Sequence, residues 1–192
     1  GPPPIDLGPN VIYQFKFDQD NGILSPNTPL KLDMDGFLGP RHYCYHPSLD
    51  IVYFSNEQGC SVSSYTLDAV SGTLSPMQII STVPDGYDGR NTCSQIQMNV
   101  SGNLLYVPNR GHNSICGFTV DSSGWLSSVG QAETESVPSA FSLNTTGNFL
   151  FAAGSASNRI AAYRVNQDTG SLSVLDTYEI GKRPMEVLAI SF

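Results

Sequence analysis

Two arginines and one glutamate stand out in this chain because no local turn chemistry calls for them. Glu57 and Arg110 each follow an asparagine, Asn56 or Asn109, while the matching places elsewhere hold Leu7 after Asp6 and Ser155 after Gly154. Tight turns account for the Asp, Asn and Gly residues, so a backbone role is the simplest reading of Asn56 and Asn109. They do not account for a change from Leu to Glu to Arg to Ser. Arg41-His42 is the second irregularity, since the corresponding stretches begin Asn91-Thr92, Ser139-Ala140 and Met185-Glu186. Two guanidinium forks grip a carboxylate or phosphate through paired hydrogen bonds and stay charged at any physiological pH. A carboxylate held near them can activate water or carry a proton, with His42 and His112 as the alternative proton carriers. Taken singly, each of these residues reads first as a solvated or paired surface charge or as a hydrogen-bonded structural imidazole. Taken together, Glu57 and His42 are candidate catalytic groups, and Arg41, Arg110, His112 and Asn109 are candidate contacts to a small anion.

The elements that would bring them together are set by a repeat. Gly22-Ile23-Leu24-Ser25, Gly72-Thr73-Leu74-Ser75, Gly124-Trp125-Leu126-Ser127 and Gly170-Ser171-Leu172-Ser173 recur at a period that belongs to units stacked side by side. An aromatic anchor precedes each Gly by six or seven residues: Phe15, Tyr65, Phe118 or Tyr163. Each anchor ends a short run of alternating character, as in Ser61-Val62-Ser63-Ser64-Tyr65, and alternation marks a strand with one buried face. An apolar run comes before it, such as Ile51-Val52-Tyr53-Phe54 or Leu104-Leu105-Tyr106-Val107, preceded by a turn signal, His46-Pro47-Ser48 or Ser101-Gly102-Asn103.

An inner strand of small and apolar residues and an outer strand such as Met77-Gln78-Ile79-Ile80-Ser81 complete a unit of four antiparallel strands, the pattern of a propeller blade. The chain is therefore expected to be all-β and a single partial propeller over residues 1–192. Outer strands fall at 10–33, blades at about 39–83, 91–135 and 138–178, and one inner strand at 184–192. Rings close with about four to eight blades. The two chain ends would then form one composite blade, or the chain is part of a larger ring completed by earlier blades or a second copy; the larger ring is expected. Inner strands line the channel of a propeller, which is where Arg41, Glu57 and Arg110 would meet.

Composition excludes several function classes. The 192 residues carry a formal net charge of −8, and no run of Lys or Arg interrupts it, so nucleic acid is an unlikely partner. No apolar stretch approaches the roughly 20 residues that cross a bilayer as a helix. Cys44, Cys60, Cys93 and Cys116 lack metal-ligand spacing, and no structural zinc site is expected. Asn99-Val100-Ser101 and Asn144-Thr145-Thr146 fit the glycosylation pattern and would suit secretion, but both lie in turn signals, and a cytoplasmic location is expected.

The segments Gly39-Pro40-Arg41-His42, His46-Pro47, Tyr53-Phe54-Ser55-Asn56-Glu57 and Asn109-Arg110-Gly111-His112-Asn113-Ser114-Ile115, with the Gly-x-Leu-Ser turns, resemble the lactonase family of seven-bladed propellers. That family includes propeller-type 6-phosphogluconolactonases and 3-carboxy-cis,cis-muconate cyclases. The resemblance implies a cofactor-independent enzyme acting on a small anionic lactone or dicarboxylate. In the muconate cyclases the pocket proposed to be catalytic holds two arginines and a glutamate at motifs matching Arg41, Arg110 and Glu57. Ser94-Gln95, Ser139 and Gly154-Ser155 depart from the residues common in the family at those places.

Three functions follow as expectations. The first is lactone hydrolysis, with the arginines holding the anionic end and Glu57 or His42 activating water. The second is muconate-type cyclisation by the same residues. The third is a non-catalytic propeller that binds a ligand or partner.

Overall fold

The structure, a computed structural model, describes residues 10–190. It contains one two-stranded and three four-stranded antiparallel sheets. The two-stranded sheet pairs β1 (Val11–Asp18) with β2 (Ile23–Asp33). The first full blade is β3 (Pro40–Tyr45), β4 (Ile51–Asn56), β5 (Ser61–Asp68) and β6 (Thr73–Ser81); the second is β7 (Gln97–Met98), β8 (Leu104–Asn109), β9 (Ser114–Val120) and β10 (Leu126–Glu133). The third is β11 (Pro138–Leu143), β12 (Phe149–Gly154), β13 (Arg159–Val165) and β14 (Leu172–Glu179).

Each Gly-x-Leu-Ser motif lies at the tight turn between the two outer strands. All four glycines hold a positive φ, from 69° at Gly22 to 82° at Gly124, where any side chain is disfavoured. The carboxylate or amide of Asp18, Asp68, Asp121 or Asn166 accepts two backbone N–H groups within each turn. The aromatic anchors mark a second repeated device. The ladder between the outer strands slips one or more residues beside Phe15, Tyr65, Phe118 and Tyr163, and such bulges sharpen twist and re-aim side chains.

The core lies between the blades rather than inside any one. Tyr53 and Tyr106 are fully buried, and their hydroxyls donate to the carbonyls of Gly124 (2.9 Å) and Gly170 (2.7 Å), so a tyrosine of one blade is bolted to the Gly-x-Leu-Ser turn of the next. Gln78 repeats the device, pairing through both amide atoms with the N–H and C=O of Leu126. Around these ties pack Ile51, Leu105, Val107 and Phe118 at one seam and Leu104, Ile115, Phe141 and Leu150 at the next.

Two expectations change. Residues 184–190 form no strand ladder, because among the described residues their own blade supplies no second strand to pair with. Instead they lie beside β11, where Ser139 Oγ donates to Pro184 O and Ala189 N to Ser142 Oγ. The glycosylation-like asparagines are turn braces: Asn99 Oδ1 accepts from Leu104 N and Asn144 Oδ1 from Phe149 N, each at 3.0 Å, and Asn99 is buried.

Candidate active site

The hairpins β4–β5, β8–β9 and β12–β13 have the same build: four loop residues, the last at positive φ (Cys60, Asn113, Asn158). The first loop residue of each donates its N–H to the residue just before an inner strand: Glu57 to Gly39, Arg110 to Thr92, Ser155 to Val137. Glu57, Arg110 and Ser155 therefore occupy one position on successive blades, at one end of the ring.

The ladder also fixes which inner-strand residues correspond. Pro40 pairs with Asn56, Cys93 with Asn109 and Pro138 with Gly154, which makes Ser94 and Ser139 the counterparts of Arg41. The alignment of Arg41 with Asn91 is corrected by three residues, to Ser94; the linker 82–92 is long enough to hide the true register. Arg41 and Ser139 are both the extra residue of a bulge.

The two serines and the arginine then differ in one informative way. Ser94 Oγ donates to the carbonyl of Pro138 and Ser139 Oγ to that of Pro184, so each closes the seam to the following blade. Arg41 leaves the corresponding carbonyl, that of Cys93, unclaimed. Arg110 takes it, donating from Nη2 at 3.0 Å.

Arg41, Glu57 and Arg110 meet. Arg41 Nη1 donates to Glu57 Oε2 at 3.0 Å, and Arg110 Nη2 donates to Glu57 Oε1 in a close ion pair. Exposure falls from 41% for the Arg41 side chain to 21% for Arg110 and 16% for Glu57, so the carboxylate is the most covered of the three and Arg41 the most open to solvent. The Nε–H of Arg110 is buried without an acceptor. A half-buried charge cluster with an unused donor can take a further acceptor.

His42 follows Arg41 on β3 and keeps much of its surface exposed. Its pKa is lowered, first by the protein that surrounds the ring and then by the Arg41 charge, against the opposing pull of Glu57 and Glu186. Glu186, on the segment after the third blade, is thus within electrostatic reach of the His42 ring. Sequence reading set Met185-Glu186 beside Arg41-His42 without assigning Glu186 a part.

Two predicted site residues lie elsewhere. Asn109 is fully buried; its NH2 donates to Thr82 O and Ser114 Oγ, and its oxygen accepts from Thr82 and Asn91. It cannot reach a ligand, and it braces the hairpin that carries Arg110. Asn56 does the same in its own blade, donating to Ser61 and Ser63. The braces are made by side chains, not by the backbone conformation that a turn reading implied. His112 turns away to the Ser114 hydroxyl (2.8 Å) and packs edge-on against Tyr87.

The four cysteines are free thiols, and burial pushes Cys44 and Cys116 up to about 12, far from a reactive thiolate. Among the described residues no cluster of His, Cys, Asp or Glu is placed to hold a metal ion, and no helix is long and apolar enough to cross a membrane.

The family model for the lactonase, a seven-bladed β-propeller, matches residues 4–189. The chain belongs to this lactonase family. A 6-phosphogluconolactonase of Pectobacterium atrosepticum is 34% identical over 171 residues, covering 88% of this chain and 52% of that protein. The chain thus spans about half the length of the curated relatives it matches. A crystal structure of a Lactobacillus plantarum protein superposes with a TM-score of 0.86 at 26% identity, over 93% of this chain and 52% of that one. The periplasmic gluconolactonase of Pseudomonas aeruginosa superposes at 0.83 with 22% identity over 90% of this chain and 49% of that one, which speaks for the fold alone. In lactonase terms, the described residues are three complete blades and the outer pair of a fourth.

Proposed function

We propose that the protein is a lactone hydrolase of the 6-phosphogluconolactonase type, opening a small anionic sugar lactone. The observation that carries this reading is the clasp of one carboxylate by two guanidinium groups from neighbouring blades, beside an imidazole held neutral. Relatives of that name, matched at about a third identity, support it.

The chemistry follows from which groups can change partners. Water adds to the lactone carbonyl carbon and gives a proton to a base, and the tetrahedral oxyanion collapses as the ring C–O bond breaks and the ring oxygen is protonated. Arg41 and Arg110 receive the oxyanion and then the product carboxylate, a charge that grows toward the transition state and is best met by donors already in place. As they turn to substrate, Glu57 loses part of its clasp and gains an oxygen free to accept a proton. His42, neutral near physiological pH, is the second base within this hollow.

A muconate-type cyclase would use the same groups to deliver a proton to carbon. Supplying 6-phosphogluconolactone and 3-carboxy-cis,cis-muconate in turn, and following acid release or loss of diene absorbance, separates the two. Hydrolysis that disappears in Glu57→Gln is the expected result. Turnover of neither substrate by the wild-type protein would leave a binding propeller as the better reading.

A further inference from the structure

Arg183 presents a puzzle of the same kind as Arg41. The residue before each of Pro40, Pro138 and Pro184, the first two of which open inner strands, sits at positive φ: Gly39 (65°), Val137 (56°) and Arg183 (53°). The turn is repeated even to its brace, since Asn113 Oδ1 accepts from Val137 N (2.9 Å) and Asn158 Oδ1 from Arg183 N (2.8 Å). Architecture therefore accounts for the conformation. It does not account for arginine, because glycine takes that conformation freely and an arginine there is disfavoured.

Lys182 precedes it, and the two line one shallow depression of about 520 Å3 with Ser155, Ala156 and Asn158. Among the described residues the ion pairs involve Arg41, Arg110 and Arg159, and neither Lys182 nor Arg183 has a carboxylate or aromatic partner. Two adjacent cations left unpaired, in a chain of net charge −8, make a local positive field that acidic surroundings would ordinarily cancel.

The depression belongs to the same end of the ring as the arginine clasp. Ser155 occupies on its hairpin the place of Glu57 and Arg110, and the chain runs from Arg183 through Pro184, tied to Ser139, to Glu186 near His42. Its donors suit a phosphate: a point charge, a planar fork, and the NH2 of Asn158, whose oxygen alone is taken by Arg183 N. A phosphorylated sugar lactone carries its charge away from the carbonyl that reacts, so a substrate held at the clasp needs a second cationic contact at a distance.

We infer that Lys182 and Arg183, with Ser155 and Asn158, form a phosphate subsite that makes the protein prefer phosphorylated sugar lactones and acids to their plain counterparts. This rests on the lactonase reading for the identity of the ligand, and the test separates the two. Binding of 6-phosphogluconate and of gluconate to the full chain is measured by calorimetry at one fixed salt concentration, for wild type, Lys182→Gln and Lys182→Gln/Arg183→Gly. Glycine is chosen because it satisfies the turn, and an unchanged melting temperature shows that the fold is kept.

The expected result is a phosphate preference of roughly tenfold or more in wild type, reduced in the single variant and abolished in the double, with gluconate binding unchanged, since each charge-assisted hydrogen bond is worth about a factor of ten. A wild type without preference, or a preference that survives in the double variant, overturns the subsite. If the preference behaves as expected while no lactone is hydrolysed, the subsite stands and the hydrolase reading falls. Hydrolysis of 6-phosphogluconolactone that continues unchanged in the double variant, with kcat/KM equal to wild type, also overturns the subsite and leaves the hydrolase reading intact.

Discussion

Replacing Glu57 by Gln keeps its shape and removes the charge that holds two arginines in place. Loss of a positioned proton acceptor lowers rates by about 10²- to 10⁴-fold, and that range is expected for kcat on the lactone, with the β-sheet circular dichroism unchanged. Loss of less than about tenfold would move the base role to His42. The pH profile tests that residue directly. Because burial and Arg41 lower its pKa, the neutral ring persists below the ordinary 6.5, and the acid limb of kcat/KM is expected below that value. In Arg41→Gln the larger of the two depressing charges, Arg41 and Arg110, is gone, so the limb moves upward. The same shift bears on stability: the unfolded chain holds the proton more tightly, so the folded state loses ground as pH falls from 6.5 through the lowered pKa, and His42→Gln removes that part of the decline. A limb at the same pH in wild type and Arg41→Gln would show that another group titrates.

At the scale of the strand and turn, the seams between blades are where sequence changes should be felt. Gly124→Ala drives a Cβ into Ile51 Cδ1 at a φ of 82°, and a loss of about 3 kcal/mol in urea unfolding is expected. Gly22 has a similar φ with nothing within 4 Å, so Gly22→Ala is expected to cost only about 1 to 2 kcal/mol. Equal losses would mean that the seam contact is unimportant. Tyr53→Phe leaves the buried Gly124 carbonyl without its donor and is expected to cost about 1 to 3 kcal/mol, with activity unaffected at saturating substrate.

These elements were legible in the sequence because each repeats: four glycine turns, four aromatic anchors and three apolar strands stated the blade before any coordinate did. The meeting of Arg41, Glu57 and Arg110 was legible for the same reason, as a break in a pattern. What was hidden depended on side-chain partners. Nothing in Asn109 itself distinguishes a buried brace from a ligand contact, nor does His112 announce that Ser114 and Tyr87 will hold it. The three-residue slip at Asn91 came from a linker whose length the repeat does not specify, and β7, with only two paired residues, gave too short a pattern to correct it.

For the molecule as a whole, the described residues leave apolar sheet surface uncovered. Tyr43 and Tyr45 are each 58% exposed and form an aromatic group with Phe54 beside the two-stranded sheet. At the other side, Phe151, Phe149 and Ile160 line a groove with residues 187–190. The isolated chain is expected to self-associate through such surface, and more strongly as salt screens its net charge of −8. Light scattering on a sizing column should show the shift with added salt, and Tyr43→Lys/Tyr45→Lys should suppress it. A monomer at every salt concentration would contradict the expectation.

The Cys93 carbonyl leads to a last consequence. Elsewhere a serine of the preceding blade holds the matching oxygen across the seam, but here it is held from within its own blade by the same guanidinium that a ligand would recruit. The first seam is secured separately, by Cys93 N on Glu57 O and Ser55 Oγ on Ser94 O. Drawing Arg110 toward a cargo therefore frees an acceptor without unfastening the wheel.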